Sequence, residues 1–458
     1  MVRKVLLPLS IILSLAAPAQ KVGIVLSGMY AAGYPPAEID SLFRSEQYRL
    51  MAEGGIEDAM LYYFKQDKPD ASVLNVRFDL DTNWSASLPT NLRSPVLIDF
   101  EQMRGFAPAS QAAGYDLDSL FVPFRCVASD ITENRSVIFD SGDLARAIRA
   151  SMSYPFYFKP IKVNGHLMMD GGLYNNFPSD VLYDAFLPDV IIGSNVAHNN
   201  APPSEDDLMS QLRAMMQEQT EYTIPCEHSL IVEPKTATTL FDFSEPGTTI
   251  DDGYRAAMAR MEEIKAMVPH LHSPVEVEAK RRAFRSRFRA PVFGEVRIHG
   301  LNKHQSLYVE RSLLSRRDGP LTATALKPRY FRVFADANVS GLQPTATWNA
   351  MNGNYDLDLT VKRERHLEAR IGGMVSTRPI NTGMVGLTYN LFGRSSGQLD
   401  ASGYFGKFYS AALAHLRLDL STRVPFYIEP AVALHRWDYF SNFATLFDEV
   451  RPSYIIQL

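Results

Sequence analysis

The sequence predicts an α/β domain of layered helices and strands, followed by a small mixed module and an antiparallel β tail. Strand-like and helix-like segments alternate from residue 21 to about 196, which is typical of a layered α/β fold. A β-α-α-β-β order follows at 292–365, and 366–458 has the alternating apolar and polar residues of hairpins. A chain of 458 residues has room for about two or three such units.

Residues 1–20 are predicted to form a cleaved secretory signal peptide. Arg3 and Lys4 give a short positive stretch, the run 5–15 is mostly apolar, and Ala-Pro-Ala at 17–19 provides a cleavage site. This order is typical of secretory leaders, and the apolar run is too short to span a bilayer. A buried first strand is the alternative, but it does not explain the order of charge, apolar run and small residues.

The α/β region is predicted to extend over 21–291, with a more polar and mostly helical part after residue 197. The continuous apolar run at 22–26 suits a strand that is buried on both faces. The remaining elements follow from the same patterns: strands at 121–128, 137–139 and 190–192, and helices at 144–152, 208–219 and 254–267.

A basic stretch at 280–289 carries six Lys or Arg residues, with Phe284 and Phe288 between them. A nucleic-acid surface is one interpretation, and a solvated helix near anionic lipid head groups is the other. Because the net charge of the chain is −5, we favour the solvated helix and expect no nucleic-acid partner.

The segment 292–365 is predicted to form a small mixed module. A strand at 295–301 and helices at 305–314 and 322–335 precede two strands, of which 355–361 alternates cleanly between apolar and polar residues. This order resembles that of a POTRA domain, the periplasmic module that precedes outer-membrane barrels. The resemblance rests on the order and length of the elements.

The tail, 366–458, is predicted to be an incomplete transmembrane β-barrel. Leu416, Leu418 and Leu420 alternate with polar residues, and aromatic residues stand near the strand ends. A soluble β-sandwich would alternate in the same way. We expect about six strands, whereas single-chain bacterial barrels begin at about eight. Either two copies complete the barrel as a homodimer or the sequence stops early, and we favour the early stop.

Five sequence blocks resemble the patatin-like phospholipase family. Phe-Arg-Cys-Val-Ala-Ser-Asp at 124–130 is similar to a family strand, and 144–155 to the helix and turn that follow it. The block 166–178 contains the family's Asp-Gly-Gly motif, followed by the Asn-x-Pro sequence that comes after this motif in the family. Near the start, 21–28 is similar to the first family strand, and 29–40 to the end of the nucleophile helix. With the module and the tail, the layout resembles outer-membrane patatins that carry their own barrel.

The resemblance implies a three-layer α/β domain that hydrolyses lipid esters with a Ser-Asp dyad. In such a dyad the serine attacks the ester carbonyl, the aspartate accepts the proton, and backbone N–H groups hold the oxyanion. Asp170 is the residue that corresponds to the proton acceptor, and Gly171 and Gly172 complete the Asp-Gly-Gly motif. The implied partners are membrane lipids, at the outer membrane, in the periplasm or on the cell surface.

The sequence departs from this family at the nucleophile. We expect no Gly-x-Ser-x-Gly elbow anywhere in the 458 residues, and no glycine-rich oxyanion loop after the first strand. Gly28 is followed directly by Met29, which predicts that a central strand and helix of the domain are missing. Ser27 is a weak substitute nucleophile, because it would end a strand before a helix but has Val25 where the elbow has glycine.

These observations predict a patatin-like lipid acyl hydrolase that is inactive because the nucleophile is absent. A non-catalytic scaffold and a secretion pore, each with a POTRA-like module and a barrel, are the alternatives. No Cys/His cluster has metal-ligand spacing, so neither a metal nor another cofactor is expected. The two cysteines are Cys126, which is expected to be buried, and Cys226. The sequence does not decide whether they form a disulfide bond.

Overall fold

The computed structural model describes residues 11–14, 17–65, 69–79, 91–196, 202–216, 218–235, 243–268, 272–314, 319–375, 377, 381–420, 426–437 and 453–457. The chain divides into two compact units. The first unit comprises residues 1–57, 90–293 and 344–356, and the second comprises residues 58–89, 294–343 and 357–458.

The helices are α1 (Ala17–Ala31), α2 (Pro36–Phe43), α3 (Glu46–Ala52), α4 (Val96–Ala112), α5 (Leu144–Ser151), α6 (Ser179–Phe186), α7 (Leu208–Met216), α8 (Pro246–Ala259), α9 (Met261–Met267), α10 (Pro274–Arg285), α11 (Lys303–Leu313) and α12 (Ala323–Phe334). Short 3-10 helices occur at Asp58–Met60, Tyr63–Lys65, Leu117–Ser119 and Gly171–Leu173.

The strands are β1 (Ile11–Ser14), β2 (Ser72–Phe78), β3 (Cys126–Asp130), β4 (Arg135–Phe139), β5 (Ile161–Val163), β6 (His166–Asp170), β7 (Val190–Asn195), β8 (His228–Val232), β9 (Val292–His299), β10 (Leu321–Thr322), β11 (Val339–Asn349), β12 (Asn354–Arg363), β13 (Leu367–Met374), β14 (Thr382–Phe392), β15 (Ser396–Gly406), β16 (Tyr409–Leu420), β17 (Phe426–Ile428), β18 (Ala431–Trp437) and β19 (Ser453–Gln457).

The first unit contains two sheets. A three-stranded sheet has the order β1-β7-β8, and both of its pairings are parallel. A four-stranded antiparallel sheet has the order β4-β3-β6-β5. The mixed α/β character that the sequence predicted is therefore confirmed, and the predicted strands at 137–139 and 190–192 lie within β4 and β7.

The start of the chain differs from the prediction. The run 22–26, predicted as a buried strand, lies in the middle of α1, and Ile11–Ser14 forms the strand beside β7 instead. A short apolar run does not by itself distinguish a strand from a buried helix segment. In the structure Gly28 packs closely against α5, since a Cβ atom at Gly28 would lie 2.2 Å from Cδ1 of Ile148. The signal peptide stays a prediction.

Helices α4 and α5 form the centre of the first unit. Phe100, Met103, Leu144 and Ile148 are almost completely buried, as expected for facing helices. The hydroxyl oxygen of Ser110 on α4 accepts a hydrogen bond of 3.1 Å from the backbone N–H of Leu144, at the start of α5. This bond satisfies one of the donors that every helix leaves free at its N-terminus.

The predicted β-α-α-β-β order is present as β9, α11, α12, β11 and β12, with the two-residue strand β10 added before α12. These strands form a sheet of order β10-β9-β12-β11. The alternation on β12 gives the expected burial, since Leu357, Leu359 and Val361 are at most 2% exposed.

The second unit also contains an antiparallel sheet of order β19-β18-β16-β15-β14-β13-β2, in which β17 pairs with β16. Seven of its strands lie in the described part of the tail, where about six were expected. The eighth, β2, comes from a part of the chain that precedes α4. Strand β2 pairs with β13 in antiparallel orientation, and Phe78 lies opposite Leu367.

The two faces of this sheet have opposite character. On one face, apolar side chains such as Val385, Leu387 and Leu434 are between 44% and 48% exposed. On the other face polar side chains, among them Asn390 and Asp400, are buried. In the described residues no helix is both long and apolar enough to cross a membrane.

The basic stretch is less solvated than predicted. It begins on α10, where Arg281 and Phe284 are 6% and 4% exposed. The Arg281 guanidinium lies 5.0 Å from the ring centroid of Phe121, a cation–π geometry. The predicted solvated helix therefore has one buried face, whereas Lys280 and Arg282 on α10 are exposed.

Candidate functional site

Asp170 is the last residue of β6, at the centre of the antiparallel sheet of the first unit. Its backbone is fixed on both sides, because it pairs with Ala128 on β3 and its N–H donates a hydrogen bond of 3.0 Å to the carbonyl of Ser153. The side chain is 1% exposed. The sheet therefore holds the predicted proton acceptor in a rigid and dry position.

The Asp-Gly-Gly motif orients the carboxylate of Asp170. The residue caps the 3-10 helix Gly171–Leu173, and its Oδ1 accepts a hydrogen bond of 2.8 Å from the backbone N–H of Gly172. A hydrogen bond from an N–H group at a helix start stabilises the charged form of a carboxylate. The second glycine of the motif thus supplies a donor that fixes the rotamer of Asp170.

The first glycine of the motif has a different role. A Cβ atom at Gly171 would lie 2.3 Å from the carbonyl oxygen of Val127. This distance is too short for any residue with a side chain. Gly171 therefore lets the 3-10 helix turn directly over β3. This close approach explains why a glycine follows Asp170 at the end of β6.

An ion pair beneath the site connects α4 with α5. The guanidinium Nε of Arg149 lies 2.5 Å from Oδ1 of Asp99, and both residues are buried. The same guanidinium also contacts the hydroxyl of Ser153 and donates a hydrogen bond of 2.9 Å to the carbonyl of Lys159. The carbonyl of Ser153 also accepts the hydrogen bond from the N–H of Asp170. The ion pair therefore supports the backbone beside the site.

Cys126, at the start of β3, is not activated as a nucleophile. Its thiol is 1% exposed and donates a hydrogen bond of 3.2 Å to the carbonyl of Ala147. Burial raises the pKa of the Cys126 thiol to about 12, and the nearby Asp170 acts in the same direction. The predicted burial is confirmed. The bridge to Cys226 is not formed, since both cysteines are free.

Ser27 does not end a strand. It lies well inside α1, and its hydroxyl donates a hydrogen bond of 2.7 Å to the carbonyl of Gly23, one turn earlier on the same helix. The predicted strand-turn-helix arrangement around Ser27 is therefore wrong. A serine within a helix lacks the free N–H groups of a helix start, which an elbow serine uses to hold an oxyanion.

The expectation that the chain nowhere contains Gly-x-Ser-x-Gly is wrong at one place. Gly393-Arg-Ser-Ser-Gly397 has this spacing. It forms the tight connection between the antiparallel strands β14 and β15, so no helix follows its serines. The middle residue of the motif is Ser395, whose carbonyl accepts a hydrogen bond of 3.0 Å from the N–H of Gly393 within this connection. The geometry is that of a hairpin, not of a nucleophile elbow.

A second cluster was not predicted from the sequence. Asp130, Glu133 and His166 each offer one ligand atom, and these atoms lie within 4.8 Å of one another. Burial would raise the pKa of Asp130, but the N–H groups of Thr132 and Glu133 and the His166 ring outweigh it, and the pKa is lowered. The cluster escaped prediction because its ligands come from two separate segments, without a Cys/His spacing.

The site and the sheet that holds it belong to a mixed α/β domain, and comparison with known proteins gives the family of this domain. Residues 22–183 match the model of the patatin-like phospholipase family. Patatin-like phospholipase domain-containing protein 7 of Mus musculus is 40% identical over 67 residues, and the neuropathy target esterase sws of Drosophila melanogaster is 37% identical over 70 residues. An uncharacterized NTE family protein of Mycobacterium bovis is 39% identical over 62 residues. The chain therefore carries a patatin-like phospholipase domain at 22–183.

These similarities cover short parts of the proteins compared. The matches span 14% to 15% of this chain, 5% of the mouse and fly proteins, and 17% of the mycobacterial protein. Among solved structures, CdiB from Acinetobacter baumannii is similar with a TM-score of 0.27 and 10% identity, over 41% of this chain and 43% of that one. A likeness of this size carries no argument about fold or function.

Proposed function

We propose that the chain is a patatin-like lipid acyl hydrolase module that retains the proton acceptor Asp170 and is inactive, because no serine of the described residues lies in a nucleophile elbow. One observation carries the proposal: the carboxylate of Asp170 is held by Gly172 at a buried sheet end, whereas Ser27 donates its hydroxyl within its own helix. A rigid base and a misplaced hydroxyl cannot begin covalent ester hydrolysis.

The chemistry that the family resemblance supplies needs three groups. A serine hydroxyl attacks the ester carbonyl, Asp170 would accept its proton, and backbone N–H groups would hold the oxyanion. Loss of the nucleophile alone typically lowers kcat by about six orders of magnitude, and loss of an oxyanion donor by about two to three. We therefore infer that the domain binds lipid without turning it over, which would make the protein a scaffold.

The test is turnover of a fluorogenic phospholipid by the full chain, compared with Asp170→Asn and with Asp180→Asn as a matched control. Asp180 is the second residue of α6, and its carboxylate accepts a hydrogen bond of 3.0 Å from the Asn175 amide at an exposed position. We expect all three proteins to give the buffer rate, and none to be labelled by a fluorophosphonate probe. Turnover by the wild type and Asp180→Asn that disappears in Asp170→Asn would refute the inactive assignment.

We further propose that the antiparallel sheet of the second unit is a partial transmembrane barrel, and that β9 to β12 form a POTRA-like module before it. The support is the burial pattern, since an apolar face in contact with solvent and a polar face turned inward are the reverse of a soluble sheet. The same interpretation places the protein in the outer membrane, where lipid would cover the apolar face. It also allows two copies to associate so that their sheets complete the barrel.

Insertion into phosphatidylcholine vesicles tests this placement. Val385→Arg puts a charge on the apolar face, and Val275→Arg puts the same charge at an exposed valine of α10, where Val275 is 75% exposed. An arginine at the bilayer midplane costs about 2–4 kcal/mol. We expect Val385→Arg to reduce the vesicle-bound fraction and Val275→Arg to leave it unchanged. Equal binding by both variants would contradict a lipid-facing sheet.

A further inference from the structure

The strongest unexplained feature of the first unit is the cluster of Asp130, Glu133 and His166, at the opposite end of β6 from Asp170. Asp130 ends β3, Glu133 lies in the turn that follows it, and His166 begins β6. Oδ2 of Asp130 lies 2.9 Å from Nδ1 of His166, and Oε1 of Glu133 lies 3.5 Å from the same nitrogen. Three ligand atoms of the types that bind metals therefore converge.

The second observation concerns the buried carboxylate. Asp130 is 0% exposed, and its Oδ1 accepts hydrogen bonds from the N–H groups of Thr132 and Glu133. Its other oxygen, Oδ2, has no hydrogen-bond partner among the described residues, and neither has Nδ1 of His166. The two atoms lie close together as an ion pair without the angles of a hydrogen bond to each other, so both remain available to a metal ion.

We propose that Asp130, Glu133 and His166 form a site for a divalent transition-metal ion, for which Zn²⁺ is the suitable probe. Ligand atoms about 2.0–2.1 Å from a zinc ion lie about 2.9 Å apart in octahedral and about 3.4 Å apart in tetrahedral geometry. The two distances at His166 Nδ1, 2.9 Å and 3.5 Å, lie close to this range without defining one geometry. An imidazole beside two carboxylates favours Zn²⁺ or a similar ion over Mg²⁺ or Ca²⁺.

The position of the site suggests what the ion does. Asp130 pairs with Met168 across the ladder between β3 and β6, two residues from both His166 and Asp170. An ion held by Asp130 and His166 would therefore join the end of β3 to the start of β6. Since β6 ends at Asp170, the ion would stabilise the strand pair that carries the Asp-Gly-Gly turn, whether or not the domain hydrolyses lipid.

The test is calorimetric titration of Zn²⁺ into the full chain purified without a polyhistidine tag. Glu133→Gln and His166→Gln change side chains that are 47% and 33% exposed, so both variants should fold. His299→Gln is the matched control. Nε2 of His299 lies 2.8 Å from Oδ1 of Asp358, but the second group beside that aspartate is the guanidinium of Arg297 instead of a carboxylate. Thermal unfolding with and without Zn²⁺ provides a second readout.

We expect the wild type and His299→Gln to bind one Zn²⁺ and to unfold at a higher temperature in its presence. Glu133→Gln and His166→Gln should bind at least about tenfold more weakly and lose the temperature shift. The proposal is overturned if the wild type does not bind Zn²⁺, if both ligand variants bind as the wild type does, or if His299→Gln weakens binding as much as His166→Gln.

Discussion

Gly171 lies so close to Val127 that a Cβ atom at the glycine would be 2.3 Å from the carbonyl oxygen of the valine. The contact partner is backbone and cannot rotate away, unlike the flexible end of a side chain. The position of Asp170 depends on this approach, because the carboxylate is oriented by the turn that Gly171 begins.

Gly171→Ala should therefore lower the free energy of unfolding by about 3 kcal/mol, the upper end of the cost of overpacking. Gly253→Ala is the matched control, since Gly253 lies within α8 and a Cβ atom there would meet nothing within 4 Å. That change should stabilise the protein by about 0.5–1 kcal/mol, because alanine is the better helix residue. Urea unfolding measures both, and a neutral Gly171→Ala would show that β3 can move away.

The buried pair of Arg149 and Asp99 should be essential to the first unit. Arg149→Met leaves the carboxylate of Asp99 buried without its partner, and we expect a loss of about 3–5 kcal/mol in the free energy of unfolding. Arg255→Met provides the comparison, because the Arg255 side chain is 73% exposed where it pairs with Asp252. Exposed pairs contribute about 0–1 kcal/mol. Similar losses in both variants would contradict this ranking.

The two cysteines should differ sharply in reactivity. At pH 8 a thiol with a pKa of about 12 is ionised to about one part in ten thousand, and the thiolate is the reactive form. We expect the folded protein to give about one fast equivalent of thiol with Ellman's reagent, and Cys226→Ser to give none. Fast labelling that persists in Cys226→Ser would show that the Cys126 thiol is accessible and ionised.

The same shift predicts a dependence of stability on pH. The pKa of Cys126 is higher in the folded chain than the ordinary value of 9.0, so its contribution is fully present below pH 9 and is lost as the pH rises towards 12. Cys126→Ala should reduce this dependence, whereas Cys226→Ser should keep it, and buried tyrosines with raised pKa values, such as Tyr157, supply the part that remains in Cys126→Ala. Urea unfolding at pH 8 and pH 10.5 compares the two variants with the wild type.

A buried charge cluster in the second unit should set its acid stability. Lys65 forms an ion pair with Asp336 and lies 3.3 Å from Asp419, and the hydroxyl of Tyr308 donates a hydrogen bond of 2.7 Å to Asp336. Burial acts to raise the pKa of Asp336, but Lys65 and these hydrogen bonds outweigh it and lower the pKa. The stabilisation is therefore present above the ordinary carboxyl pKa and is lost as the pH falls.

Lys65→Met should lower the free energy of unfolding by about 3–5 kcal/mol, because Asp336 stays buried without its countercharge. Acid unfolding should also begin at a higher pH. Lys265→Met removes an exposed lysine that lies 3.0 Å from Glu262, and its effect should stay below about 1 kcal/mol. An acid transition unchanged by Lys65→Met would contradict the role given to this pair.

Much of the local structure could be predicted because periodicity encodes the type of an element. The helix at 144–152 and the alternation on β12 appear in the structure with nearly the predicted bounds. The Asp-Gly-Gly motif also drew attention to Asp170, since its neighbours form a recognisable block. The run 22–26 was misassigned because a short apolar segment suits both a buried strand and a buried helix.

The sequence by itself determined the type of many elements, among them α5 and β12 but not the run 22–26, and it placed Asp170 at the head of a glycine turn. Only the tertiary structure decided which segments meet. It pairs β2 with β13, brings Glu133 beside His166, and places Gly171 against Val127. The physical reason is that periodicity depends on neighbours along the chain, whereas these contacts depend on backbone hydrogen bonds and packing between distant segments, which no local pattern records.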